Sequence, residues 1–246
     1  MLPLLLLFQA ATIESTWQPR PAISLNADLH HVQGIDVEGN SLWVSSVHAK
    51  AKQGYLSLFE LPSGRLLKQV ELQQGARIHP GGIMLDGDSV WVPVAEYHPG
   101  GPTSVQRRDK RTLALLSQFD VPDHIGCIAV APDGTLVGGS WSSRTLYQWT
   151  RDGRQLSKRP NPISTAWQDL KFDGDLLIGS GILTKGSEGA IDWVRLTDLS
   201  LVRRITTGKT DRGVLYTNEG IAWRNGSLYL LPEDAPSRLF EWRRKP

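Results

Sequence analysis

Apolar and polar residues alternate along most of this chain, in short runs broken by Gly, Asp, Asn and Pro. A period of two marks strands with one face buried, and no segment carries a 3.6-residue apolar stripe over three turns. The stretch Gly82-Ile83-Met84-Leu85-Asp86-Gly87-Asp88-Ser89-Val90-Trp91-Val92 shows the unit most clearly: a strand, a Gly-containing turn, a second strand. The same pattern returns at Gly34–Val44, Gly126–Val137, Asp169–Ile178 and Gly220–Leu230. Anchored on Ile35, Ile83, Ile128, Leu170 and Ile221, the units follow one another at 48, 45, 42 and 51 residues.

A repeat of this length with four strand signals per unit predicts the blades of a β-propeller. Third strands are expected at 56–61, 104–108, 146–150, 191–196 and 239–242, and fourth strands at 66–72, 113–119, 155–159 and 201–206. The fifth unit ends after its third strand, while Ala22-Ile23-Ser24-Leu25 precedes the first anchor where a fourth strand would lie. The expectation is therefore an all-β chain forming a single five-bladed propeller over residues 20–246, closed by that N-terminal strand. A sixth blade would need strands within residues 1–30. Closure removes open sheet edges, and a monomer is expected.

The units resemble those of six-bladed and related propellers of the NHL, gluconolactonase-like and quinoprotein-dehydrogenase-like groups. The strings His79-Pro80-Gly81-Gly82-Ile83, Trp91-Val92-Pro93-Val94-Ala95-Glu96-Tyr97 and Pro232-Glu233-Asp234 resemble a family of bacterial propeller proteins without an assigned function. The resemblance implies the fold. The Glu/Asn/Asn/Asp calcium set of gluconolactonase-like proteins has no counterpart here, so that activity is not implied.

The repeat decides which polar residues can meet. Segments entering each first strand and leaving each second strand share one face of a propeller, so two registers converge there. Four residues before the anchors stand His31, His79, His124, Ala166 and Thr217. Three of the chain's six His thus share one register, which chance alone seldom produces. Such a ring could hold a divalent transition metal, share protons, or hydrogen-bond neighbouring blades. Five residues after Trp43 and its equivalents stand His48, Glu96, Ser142, Ile182 and Asp234, with Tyr97, Trp141, Arg144 and Glu233 beside them. Immediately before the anchors stand Gly34, Gly82, Asp169 and Gly220; in the third unit Gly126 lies one further back, with Cys127 read as an insertion. Asp169 puts a carboxylate where backbone crowds backbone, and Glu219 is its neighbour in the fifth unit.

Composition excludes more than it suggests. Charged residues make up 21% and leave a net charge of +2, which gives no reason to expect nucleic acid as a partner. The single Cys127 rules out an intramolecular disulfide and a Cys-based metal site, and its apolar setting reads as a buried structural thiol. The block Met1–Thr12 is too short to span a bilayer, so no membrane span is expected. It reads as a signal peptide over residues 1–15, implying a periplasmic or secreted protein, or else as an apolar N-terminal strand. Asn225-Gly226-Ser227 matches a glycosylation sequon and also reads as a hairpin turn.

The leading functional expectation is an exported propeller whose top-face pocket binds a small polar or sugar-like ligand, with the chemistry of a metal-dependent hydrolase or lyase. In it His31, His79 and His124 hold the ion, and Asp169 or Glu219 completes the shell. Glu96, Asp169 and Asp234 are the catalytic candidates, with Glu96 as general acid or base. Arg144 steadies an anionic group, and His48, Tyr97, Trp141, Trp167, Glu219 and Glu233 contact the ligand. Two alternatives are a non-catalytic propeller recognising protein or glycan, and a carboxylate-based glycosidase using Asp169, Glu219, Glu96 and Asp234.

Overall fold

The computed structural model describes residues 11–184 and 187–246. It contains five antiparallel sheets arranged as the blades of one propeller. Blade one comprises His31–Glu38, Ser41–His48, Gln53–Glu60 and Arg65–Glu71. Blade two has a divided inner strand, Arg77–Pro80 and Met84–Asp86, followed by Ser89–Glu96, Thr103–Asp109 and Leu115–Val121. Blade three comprises Ile125–Val130, Leu136–Ser140, Thr145–Trp149 and Gln155–Pro160. Blade four comprises Thr165–Asp173, Leu176–Leu183, Gly189–Arg195 and Leu201–Thr207. Blade five takes Glu219–Arg224, Ser227–Pro232 and Arg238–Arg244 from the C-terminal end, and Ile23–Ser24 completes it against Arg238 and Leu239. The anchor spacing thus yields the blade count, and the closing strand lies where the sequence put it. Among the described residues no helix is long and apolar enough to cross a membrane.

Five apolar clusters occupy the five junctions between blades. Ile35, Val44 and Phe59 of blade one meet Ala222, Leu231 and Leu239 of blade five, for example, and Trp91 and Val105 of blade two meet Ile128 and Tyr147 of blade three. No single blade could bury its own faces, so stability comes from the closed circle. Tight turns make the hairpins: Asn225 (φ 51°) and Gly226 (φ 77°) form the two-residue turn of blade five, as the sequence implied.

Residues 11–19 add a clasp that the repeat did not reveal. Ala11–Thr12 pairs in parallel with Ile205 and Thr206 on the outer strand of blade four, and Trp17–Pro19 pairs with Trp242 to Arg244 of blade five. Ile13 and Trp17 are buried between them. The Trp17 indole stacks on Trp193 with centroids 6.0 Å apart, and its N–H donates to the Gly226 carbonyl at 3.0 Å. Trp17→Phe removes that hydrogen bond and part of the stack, and is expected to cost about 1–2 kcal/mol in chemical denaturation.

At the axis, backbone approaches backbone. A Cβ on Gly34 would overlap Gly82, and one on Gly82 would lie 2.5 Å from Asp169 Oδ1. Asp169 occupies this position in blade four, fully buried, and its carboxylate fills the space the glycines leave. Oδ2 accepts from the N–H groups of Ile35 and Ile221, each at 3.1 Å. Oδ1 accepts from the Leu170 N–H and from Lys171 Nζ, each at 2.8 Å. Lys171, also buried, donates to the Ile83 carbonyl at 2.7 Å. This pair therefore fastens blade four to blades one, two and five. Cys127 occupies the same register in blade three, and burial pushes its thiol up to about 12, consistent with a structural role.

The inner strands share one irregularity that fixes the site. Register shifts fall at Gln33 in blade one, Gly126 in blade three and Gln168 in blade four, and the blade-two strand breaks at the matching place. Each is a β-bulge two residues before the anchor. Cys127 is thus no insertion, since the extra residue is Gly126 and every blade from one to four carries the irregularity.

Candidate functional site

A cavity of about 150 Å³ opens on the top face at the axis. Its floor is the bulge register: Gln33, Gly126 and Gln168, joined by Glu219 of blade five. Its wall is the His register, His31, His79 and His124, with Tyr97, Trp141 and Trp167 between them. Ser140 and Ser142 complete it. The bulges turn Gln33 and Gln168 toward the axis.

Each wall residue is held by its own local structure. His124 Nδ1–H donates to the Glu96 carbonyl at 2.9 Å, and its ring meets Trp141 edge-on with centroids 4.7 Å apart. Trp141 opens a short turn in which Ser142 and Ser143 adopt left-handed backbone, at φ 53° and 52°. That costly conformation is fixed by Ser143 Oγ donating to the Trp167 carbonyl at 2.8 Å and by Asn161 Nδ2 donating to the Ser143 carbonyl at 2.8 Å. Trp167 is buried, with its indole N–H on Asp192 Oδ2 at 2.9 Å, and Gly179 leaves space for its ring.

His79 stands apart from the other two His. It is 6% exposed, and neither ring nitrogen has a hydrogen-bond partner among the described residues. Its ring stacks on Tyr97 at 4.1 Å and 8° and lies 5.7 Å from His124 and 6.4 Å from His31. Burial, reinforced by the two neighbouring imidazoles, pushes its pKa down to about 3. It is therefore neutral at pH 7, one nitrogen a donor and the other an acceptor. Burial likewise lowers the His124 pKa, against the pull of the Glu96 carbonyl.

Glu219 begins the inner strand of blade five at φ 138°, an unusual backbone for a residue with a side chain. It is 4% exposed, and no group among the described residues donates a hydrogen bond to its carboxylate. Burial, then the charges of Glu233 and Asp169, hold its carboxyl well above the usual range. His31 Nδ1 lies 3.0 Å from Glu233 Oε1.

The structure brings His31, His79, His124, Tyr97, Trp141, Trp167 and Glu219 to this cavity, with Glu233 beside His31. It does not bring the three imidazoles onto one point: among the described residues the metal-compatible group is His31, Glu219 and Glu233. The remaining candidates lie elsewhere. Asp169 is beneath the floor, saturated by N–H donors, and the buried Asp234 is held by Arg212 and Arg238. Glu96 turns its carboxylate to His98 at 3.1 Å. Arg144 gives its guanidinium to the carbonyls of Ser142, Ile163 and Thr165. His48 sits against His30, away from the axis, and caps Ala51 N–H. Of that second-strand register only Ser142 lines the cavity among the described residues, while His48, Glu96 and Asp234 spend their polar groups on neighbours. Gln33 and Gln168 were missed, although the register two before the anchors lists Gln33, Gly81, Gly126, Gln168 and Glu219.

Fold and site together define a five-bladed β-propeller with a polar, aromatic-walled axial pocket. Residues 7–166 match the model of a family of unknown function, DUF6454, and the chain belongs to that family. No curated protein matches. Among solved structures the chain is similar to the PQQ-bound form of aldose sugar dehydrogenase from Streptomyces coelicolor, at TM-score 0.57 and 10% identity over 93% of this chain and 98% of that one. It is also similar to streptogramin B lyase, at TM-score 0.54 and 12% identity over 94% of this chain and 99% of that one. The WD40 domain of Neurospora crassa Pan2 matches at TM-score 0.53 and 10% identity, covering 94% of this chain and 68% of that one. At these identities the likeness is one of fold.

Proposed function

We propose that this protein binds a small, neutral, hydroxyl-rich molecule of about one sugar ring in the axial pocket, and that His79 is its central hydrogen-bonding group. The observation that carries this reading is the buried His79 ring with both nitrogens unpartnered. A buried polar group left unpaired costs about 1–3 kcal/mol, a cost that a ligand donating to one nitrogen and accepting from the other removes. The volume of about 150 Å³ suits a single ring. Trp141 and Tyr97 offer flat faces for it, and Gln33, Gln168, Ser140 and Ser142 offer polar partners. No Lys or Arg lines the cavity, and Arg144 is engaged by carbonyls, so an anionic ligand has no counter-charge.

The pKa also bears on mechanism. A base with a pKa of about 3 is a poor proton acceptor at neutral pH, so His79 serves binding better than proton abstraction. Hydrolase or lyase chemistry here would draw on another group. The glycosidase alternative loses Asp169 and Asp234 to their N–H and guanidinium partners and Glu96 to His98, and among its four carboxylates this leaves Glu219 alone at the cavity.

A thermal-shift panel of neutral monosaccharides, small polyols and amino sugars tests the reading. At about tenfold over Kd a true ligand raises the melting temperature by about 4 °C, and His79→Phe and Trp141→Ala abolish the rise. A panel without hits, or hits unchanged in both variants, contradicts it. Export is proposed alongside, on the apolar block at the N-terminus. Because Ile13 and Trp17 are core residues, processing is expected before Ile13 rather than at residue 15, which N-terminal sequencing of the mature protein would show.

A further inference from the structure

We infer that His31, Glu219 and Glu233 form a binding site for one divalent first-row transition-metal ion at the rim of the axial pocket. The inference stands independently of the organic molecule the pocket takes. One ligand atom from each residue lies within 4.8 Å of the other two. The three come from the seam where the circle closes: His31 starts the inner strand of blade one, Glu219 starts that of blade five, and Glu233 follows the second strand of blade five.

Three features of this group point to a cation as its partner. Glu219 is buried at the cavity lining, its carboxylate receives no hydrogen bond among the described residues, and the negative charges of Glu233 and Asp169 act on it. Lys171 is turned to Asp169 and to the carbonyls of Ile83 and Leu170, so it does not neutralise Glu219. A buried carboxylate beside like charges is costly unless a cation compensates it. The backbone at Glu219 is also held at φ 138°, a strained conformation that keeps this carboxylate at the axis. His31 Nδ1, though 3.0 Å from Glu233 Oε1, has no hydrogen-bond partner, and with the ring proton on Nε2 its lone pair is free for coordination.

The donor set selects the ion. One imidazole nitrogen and two carboxylates suit Mn²⁺, Fe²⁺ or Zn²⁺ better than Mg²⁺ or Ca²⁺, which favour all-oxygen shells. Three protein ligands leave coordination positions open, and His31 and Glu219 both line the cavity, so those positions face the space a ligand would fill.

The test is Mn²⁺ titration of the EDTA-treated full-length chain by calorimetry and electron paramagnetic resonance, with no organic ligand present. One Mn²⁺ per chain is expected, competed by Zn²⁺. Glu219→Gln should weaken binding by about a hundredfold and Glu233→Gln by about tenfold. Glu60→Gln, on an exposed carboxylate of blade one, should leave it unchanged. Without metal, Glu219→Gln should melt at or above the wild-type temperature, because the amide keeps the shape of the side chain without the repulsion from Glu233 and Asp169 that an ionised Glu219 meets, so its loss of binding would not reflect unfolding. Glu233, at the surface, supplies a variant that folds in any case. Failure of Mn²⁺ and Zn²⁺ to bind at millimolar concentration overturns the inference. So does equal binding by wild type, Glu219→Gln and Glu233→Gln. Repeating the sugar panel in EDTA separates this outcome from that of the ligand reading.

Discussion

Asp169→Ala is expected to lower the unfolding free energy by about 3–5 kcal/mol, the usual cost of removing one partner of a buried ion pair. The substitution strips acceptors from the Ile35, Ile221 and Leu170 N–H groups and leaves the Lys171 ammonium buried without its counter-charge. Lys171→Met should cost a similar amount for the mirror-image reason: a carboxylate is left at the axis. The double variant Asp169→Ala/Lys171→Met should cost clearly less than the two singles added, because neither charge remains. Denaturant titration with a shared slope measures all three. A catalytic Asp169 would behave differently, with turnover lost and stability kept. The four N–H donors around it favour the structural outcome. Burial pushes the Asp169 carboxyl up to about 6, with Lys171 opposing, so it is ionised at neutral pH, as those donors require.

The second large effect is a pH dependence. His79 has its folded pKa lowered to about 3 from an ordinary value of 6.5. Below pH 6.5 the unfolded chain takes up a proton that the folded protein refuses, so stability falls with pH until about pH 3. At roughly 1.4 kcal/mol per unit, the loss reaches about 4–5 kcal/mol at the acid end. Asp169 and Glu219 act in the opposite sense, since their raised folded pKa values let the folded state bind protons first. The informative quantity is therefore wild type minus His79→Phe at each pH. That difference should be flat above pH 7 and move steadily against the wild type between pH 6.5 and about 3. A difference independent of pH would mean that His79 is not held neutral by burial.

Much of this architecture is legible before any coordinates. The anchors Ile35, Ile83, Ile128, Leu170 and Ile221 recur because each inner strand must pass the same crowded axis. Strict spacing there is a steric necessity. His31, His79 and His124 converge for the same reason, standing at a fixed distance before those anchors. What alternation cannot show is a bulge. One extra residue in the inner strand rotates Gln33 and Gln168 into the cavity, and only a register comparison across blades exposes it. Glu96, Asp234, Arg144 and His48 share a face with the pocket yet spend their polar groups on neighbours, which the repeat leaves open. The clasp of residues 11–19 is hidden for another reason: it is too short and singular to repeat. Asp169 carried a visible signal, a carboxylate in a Gly register. Its meaning depended on which backbone N–H groups of blades one and five lay around it.

On the proposed reading, His79 stands neutral and unpartnered in the axial pocket until a ligand binds there. Nitrogen-15 NMR of histidine-labelled protein tests this directly, followed first across pH and then through titration with a sugar found in the thermal-shift panel. His79 is expected to stay neutral until the pH approaches about 3, and its two ring nitrogens to shift more than those of any other His when the sugar binds. A His79 that titrates near 6.5, or ring nitrogens that ignore a bound sugar, would contradict it.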